Sequence, residues 1–211
     1  MTVEHLAVRA HEKMKEVLMH PEAPGPSVHY YMIRGGTEQK NITVWEAGTV
    51  GGLPAAPGRP AQAGEYIKTY GHYHVDDLPE TYWFLFGEGI ALLQKLAVDG
   101  SGKSISDVVE EFRAIKVKAE DTLNIPARWG HLAVNTGKSY LVTADDSPVD
   151  FADKDPVGMP SHADYENVKK MRGFAYYVVE KDGAPALVKN PLYKEIRRTD
   201  FGGLSVIGEA K

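Results

Sequence analysis

A chain of 211 residues with 43% hydrophobic content can build one substantial core and is short for two ordinary domains, so a single domain over 1–211 is expected. The formal net charge of −5, with signs interspersed, gives no electrostatic reason to expect nucleic acid or a membrane surface as a partner. With no Cys, disulfides, thiolate catalysis and Cys-bound metals are excluded.

The first residues mix apolar with charged side chains and lack the apolar stretch of a secretory signal. No run approaches the ~20 apolar residues of a transmembrane helix, so a cytoplasmic location is the default expectation. From Val3 to Met19, the residues Val3, Leu6, Ala7, Ala10, Met14, Val17 and Leu18 recur at helical spacing with charges between them. That predicts an amphipathic helix over about 3–19, stopped by the Pro-rich segment 20–26. The signal then changes to strand at Val28–Ile33 and Asn41–Trp45, and residues 50–64 are too rich in Pro, Gly and Ala for regular structure. Further strand-like runs cover Glu65 to His74, Thr81 to Phe86 and Ile90 to Gln94. A loop with a short helix at Ser104 to Glu111 is expected to lead into Phe112–Lys118. Strands follow at Thr122–Ile125, Gly130 to Val134, Tyr140 to Thr143, Phe174–Glu180 and Ala184–Val188. The tail from about Asn190 carries no assignable signal. Short strands separated by turns indicate an antiparallel sandwich or barrel rather than βαβ units, with its core over about 28–190.

Chemistry concentrates at His72-Tyr73-His74. Residues i and i+2 of a strand share a face, so the two imidazoles converge while Tyr73 points away. The turn at Asp77-Leu78-Pro79 is expected to send the chain back antiparallel and bring Glu80 close to both. On that next strand Glu80, Tyr82 and Phe84 share a face. His131, at the start of another strand, can complete a three-His, one-Glu set for a divalent ion, Fe²⁺ first, with Mn²⁺, Zn²⁺ and Ni²⁺ also accepted by such donors. The run Gly100-Ser101-Gly102-Lys103-Ser104 is similar to the end of a P-loop but sits in a hairpin connection, and is read as a loop. His5, His11, His20 and His29 are assigned to solvation or packing.

The pattern His72-x-His74, Glu80, Gly87, then Pro126, His131 and Asn135, resembles the two signature motifs of the cupin superfamily. Thr69 to His74, Pro79 to Tyr82, Gly87-Glu88-Gly89 and Leu92-Leu93-Gln94 resemble the cupin-type glucose-6-phosphate isomerases of archaea and some bacteria. The second motif departs from the family: Glu120 or Asp121 stands at its opening Gly, and its inner Gly is displaced, with Arg128 and Gly130 around the expected place.

The resemblance implies an all-β cupin jelly roll, with the N-terminal helix and C-terminal elements wrapped outside. It implies a metal-dependent aldose–ketose isomerase, a step of glycolysis and gluconeogenesis, acting on a hexose phosphate as a homodimer. Glu80 is then both ligand and candidate base, and Tyr82 a hydrogen-bond donor or proton shuttle, or else a packed barrel residue. By the same resemblance Tyr31, Thr43, Thr69 and the backbone of Gly71 bind the phosphate, and His162 and Tyr165 reach the sugar pocket. The residues leave open a proton or a hydride route, and mannose 6-phosphate as substrate. They also leave open two rival functions, a cupin metal oxygenase and a non-catalytic sugar-phosphate-binding module.

Overall fold

The computed structural model describes residues 5–35, 40–52, 63–75 and 77–208. The chain begins with β1 (Leu6–Ala10), one turn of helix α1 (His11–Met14) and a 3-10 turn at Lys15–Val17. Strands β2 (Val28–Ile33), β3 (Asn41–Trp45), β4 (Thr49–Val50), β5 (Gly64–Tyr66) and β6 (His72–His74) follow. Next come β7 (Glu80–Phe86), β8 (Glu88–Val98), β9 (Ser104–Lys118), β10 (Thr122–Ile125), β11 (Gly130–Asn135) and β12 (Leu141–Asp145). The remainder is β13 (Ala163–Asp164), helix α2 (Glu166–Lys170), β14 (Tyr176–Lys181), β15 (Ala184–Lys189), β16 (Glu195–Ile196), β17 (Thr199–Asp200) and β18 (Ser205–Ile207).

Two sheets face each other. The front sheet runs β1-β2-β3-β12-β7-β10, and the back sheet β13-β6-β11-β8-β9, extended by β16 and β17 on β9. Tyr30, Trp45 and Phe84 from the front meet Leu92, Leu132 and Val134 from the back in one buried cluster. A third sheet, β18-β15-β14-β5-β4, adds further core from Tyr176 and Val178. The expected all-β jelly roll is borne out, and the strands anticipated between Val28 and Val188 are present. Among the described residues no helix is long and apolar enough to cross a membrane.

Three expectations are corrected. The helix over about 3–19 is not formed: Leu6–Ala10 is a strand, and only residues 11–17 are helical. Leu6, Ala7, Val8 and Arg9 pair residue for residue with Ile33, Met32, Tyr31 and Tyr30, and this ladder outweighs helix propensities that differ by only about 0.5 kcal/mol per residue. The short helix at Ser104 to Glu111 is likewise strand, because the β8–β9 hairpin is longer than expected and Ile105, Val108 and Val109 suit it. The hairpin reading of Asp77-Leu78-Pro79 also fails. β6 belongs to the back sheet and β7 to the front, so this segment carries the chain across the sandwich. The P-loop-like run is the β8–β9 turn, as read. Within the Pro-rich segment, residues 53–62 lie outside the described residues.

Candidate metal centre

β6 reaches its place through Gly71, whose φ of +81° is open to glycine at little cost. A Cβ at this position would stand 3.2 Å from the Leu132 Cβ. The strand then pairs with β11, placing Gly130 opposite Tyr73 and His131 opposite His72. A Cβ on Gly130 would lie 2.6 Å from the Tyr73 ring, so this close approach also requires glycine. Opposed residues share a face, hence His72, His74 and His131 all point inward, with ring centres 4.4 to 5.4 Å apart. Tyr73 turns the other way onto Phe174 and Gln94. Glu80 opens β7 on the opposite sheet and aims its carboxylate at the three imidazoles.

The donor atoms of His72, His74, Glu80 and His131 lie within 4.8 Å of one another. Glu80 Oε2 is 3.1 Å from His74 Nε2 and 3.0 Å from His131 Nε2, and Oε1 accepts from the Ser147 hydroxyl. His74 Nδ1 is 2.7 Å from the Leu78 carbonyl, which fixes a proton on Nδ1. The Nε2 lone pair therefore faces a carboxylate oxygen, an arrangement that calls for a cation between them. His72 Nε2 is buried with no partner at all. These donors fit one divalent metal.

Burial and the neighbouring His131 hold the His72 imidazole well below its ordinary range. Burial would raise the Glu80 carboxyl, but the neighbouring His131, His74 and His72 imidazoles hold it well below the usual carboxylate range. Burial and the Glu80 charge together push the Tyr82 phenol well up. Burial also drives His162 down to about 4. At Asp145, burial and the Glu80 charge raise the carboxyl.

Thr43, Thr69, Gly71, His72, Glu80, Tyr82, His131, His162 and Tyr165 line one cavity. Tyr82 OH lies 3.1 Å from His131 Nε2, and the His162 and Tyr165 rings are 6.0 and 5.4 Å from that of His72. Tyr31 is not among the lining residues. It stands opposite Val8 on the outer face and bonds Glu46 at 3.1 Å, while its neighbour Tyr30 faces the cavity. Two adjacent tyrosines in Val28–Ile33 give alternation nothing to decide which is inside.

Arg9, Tyr30, Arg34, Asp145 and Ser147 also line the cavity and were not anticipated. Arg9 was hidden by the helix reading, which put it on a charged face. Asp145 ends β12 and Ser147 follows it, and an alternating count from Thr43's partner Thr143 marks both as inward.

A family profile described as glucose-6-phosphate isomerase (GPI) matches residues 55–193. The chain is 30% identical over 138 residues to a glucose-6-phosphate isomerase of Thermococcus kodakarensis, covering 64% of this chain and 61% of that one. It is 31% identical over 137 residues to one of Pyrococcus abyssi, covering 64% and 60%. The match thus spans about three fifths of these relatives' length. Among solved structures, an oxalate decarboxylase of Bacillus subtilis is similar at a TM-score of 0.36 and 14% identity, covering 59% of this chain and 27% of that one, too slight a likeness to argue from.

Proposed function

We propose, from the premise that this chain belongs to the glucose-6-phosphate isomerase family, that it interconverts glucose 6-phosphate and fructose 6-phosphate at the cluster of His72, His74, Glu80 and His131. The observation that carries the reading is that cluster, four donors converging from opposite sheets on a cavity lined by hydroxyls and guanidinium groups. His72, His74, Glu80 and His131 would hold one divalent ion, Fe²⁺ by preference, which when bound supplies Lewis acidity toward the sugar's C1 and C2 oxygens.

The reaction moves hydrogen from C2 to C1 and a proton from O2 to O1. On the proton route Glu80, held ionised by the surrounding imidazoles, takes the C2 proton as a weak base and returns it to C1. Tyr82, with its hydroxyl beside His131 Nε2, hands on the proton between the two oxygens. His162, neutral at ordinary pH, and Tyr165 orient the open chain, and Thr43, Thr69 and the Gly71 N–H receive its phosphate. Solvent exchange of a C2 deuterium during turnover identifies the proton route, and full retention identifies a hydride shift.

The chain acts as one domain, in the cytoplasm, and as a homodimer. The outer face of the front sheet supports the last point. Val8, Tyr31, Val44, Val142 and Phe86 stand side by side across five strands, with Val8 50% and Phe86 53% exposed. Such a row asks for cover.

The test is formation of glucose 6-phosphate from fructose 6-phosphate by purified protein reloaded with Fe²⁺, Mn²⁺ or Zn²⁺. Conversion by at least one form is expected. A protein that binds metal and converts neither this ester nor mannose 6-phosphate refutes the isomerase.

A further inference from the structure

Glu80 is held by more than the three imidazoles, and the extra tie comes from a residue that the proposed reaction leaves unused. β12 sets Asp145 opposite Tyr82 of β7. Continued by two residues, that antiparallel register brings Ser147 opposite Glu80, and the Thr81 N–H donates to the Asp146 carboxylate at 2.7 Å between them. Ser147 is buried, and its hydroxyl donates to Glu80 Oε1.

Both backbone polar groups of Ser147 are fixed. Its N–H donates to Asp145 Oδ1 at 3.2 Å, and its carbonyl accepts from Asn41 Nδ2 at 2.9 Å. Asn41 Nδ2 also donates to the same Asp145 oxygen at 2.7 Å, which joins the two ties into one buckle. Pro148 follows and disfavours helical backbone at Ser147. Asn41, Asp145, Ser147 and Glu80 are all buried. Buried polar ties of this kind add little net stability over apolar packing of the same shape. What this one accomplishes is to aim a single hydroxyl.

The aim matters because a carboxylate has two oxygens. Oε2 stands 3.1 Å from His74 Nε2 and 3.0 Å from His131 Nε2, on the side of the back sheet. Oε1 is drawn the other way by Ser147. A carboxylate can bind a divalent ion through one oxygen or through both. With three imidazoles and one oxygen of Glu80, an octahedral ion keeps two positions open, as many as the C1 and C2 oxygens of a sugar need. With both oxygens of Glu80 it keeps one. On the proton route Oε1, turned off the ion, is then the oxygen left to act as base.

We propose that Ser147 is a positioning residue, whose hydroxyl restrains Glu80 to one-oxygen ligation and so keeps two positions of the ion open to substrate. The use of those positions rests on the isomerase reading; the restraint itself does not, and it is measured without sugar. The experiment loads wild type, Ser147→Ala and Ser147→Thr with Mn²⁺. For each it records bound metal, melting temperature, the relaxivity of water protons and kcat for fructose 6-phosphate.

Ser147→Ala is expected to keep one Mn²⁺ per chain and to lose about half of the relaxivity, because one of two exchanging waters gives way to Glu80 Oε1. Its kcat should fall by about tenfold to a hundredfold. Ser147→Thr, which keeps the hydroxyl, should hold both values near wild type. Should Ser147→Ala not fold, Ser147→Cys decides, being of nearly the same shape with a weaker donor. A merely structural serine would give a lower melting temperature with relaxivity and kcat unmoved, and that result overturns the proposal. Loss of Mn²⁺ from Ser147→Ala overturns it too, since a carboxylate free to give both oxygens has no reason to release the ion. Halved relaxivity in Ser147→Ala with no turnover by any form would uphold the restraint and sink the isomerase; turnover with equal relaxivity in wild type and Ser147→Ala would do the reverse.

Discussion

Glu80 is the residue at which the two sheets meet: one carboxylate oxygen faces His74 and His131 of the back sheet, and the other takes the Ser147 hydroxyl of the front. Its neighbour Tyr82 touches the cluster through His131 alone. Tyr82→Phe keeps every donor of the cluster and loses one proton carrier, so it should lower kcat by about a hundredfold at unchanged metal content. A parallel loss of metal would make Tyr82 part of the scaffold instead. Away from the cluster, His29 is fully buried beside His11 and Lys68. His11 Nε2 donates to the Ala23 carbonyl at 3.0 Å, leaving its Nδ1 to accept from His29 Nε2 at 2.9 Å. His29 Nδ1 is then buried and without a partner. Burial, reinforced by His11 and Lys68, pushes His29 down to about 4, below the 6.5 of an exposed histidine. The unfolded chain therefore takes up the proton first as pH falls. The stability due to a neutral His29 is complete above pH 6.5 and is lost progressively toward pH 4, about 3 kcal/mol in all. Urea unfolding across that range should show the loss in wild type and a smaller one in His29→Gln; equal slopes would contradict it.

At the scale of elements, β1 is built inside out. Leu6 and Val8 are exposed and Arg9 is buried, the reverse of the usual alternation. That inversion is why the sequence misled. Val3, Leu6, Ala7 and Ala10 fit a helical stripe, and only pairing with β2, which no local pattern reports, makes the segment a strand. The metal ligands were legible because their geometry is local: His72 and His74 share a strand face, and Glu80 follows six residues on. The route between them was not, since turn residues at 77–79 mark a reversal without saying which sheet receives the chain. The tail strands β16, β17 and β18 pair in parallel with distant partners and have too few residues to leave a signal. The loop before β10 explains a departure from the family motif. Glu120, one of the two residues standing where that motif has Gly, takes a φ of +77°, a conformation that costs a side chain about 1 kcal/mol. Glu120 is exposed and its N–H bond to the Phe84 carbonyl at 2.8 Å survives substitution. Glu120→Gly should thus raise stability by up to about 1 kcal/mol, read as a higher urea midpoint; a lower midpoint would mean that the carboxylate has a partner role.

At the scale of the molecule, one sheet serves two surfaces. Its inner face carries Tyr30, Thr43, Glu80 and Tyr82 to the cavity, while its outer face presents the apolar row from Val8 to Phe86. A dimer closed over that row would leave the cavity untouched, because successive residues of a strand point to opposite faces. Sedimentation should give a dimer for the wild type and a monomer for the Val8→Lys, Val44→Lys pair, with metal content equal in both. A wild-type monomer would dismiss the interface.

The most direct test of the central claim is a titration of chelator-stripped protein with Fe²⁺, scored by conversion of fructose 6-phosphate. Activity should be absent at the start, rise in proportion to added ion and level off at one equivalent per chain, and His131→Ala should stay inactive throughout while remaining folded. Activity that survives chelation, or that His131→Ala recovers with the same stoichiometry, would show that the four converging donors are not where the reaction takes place.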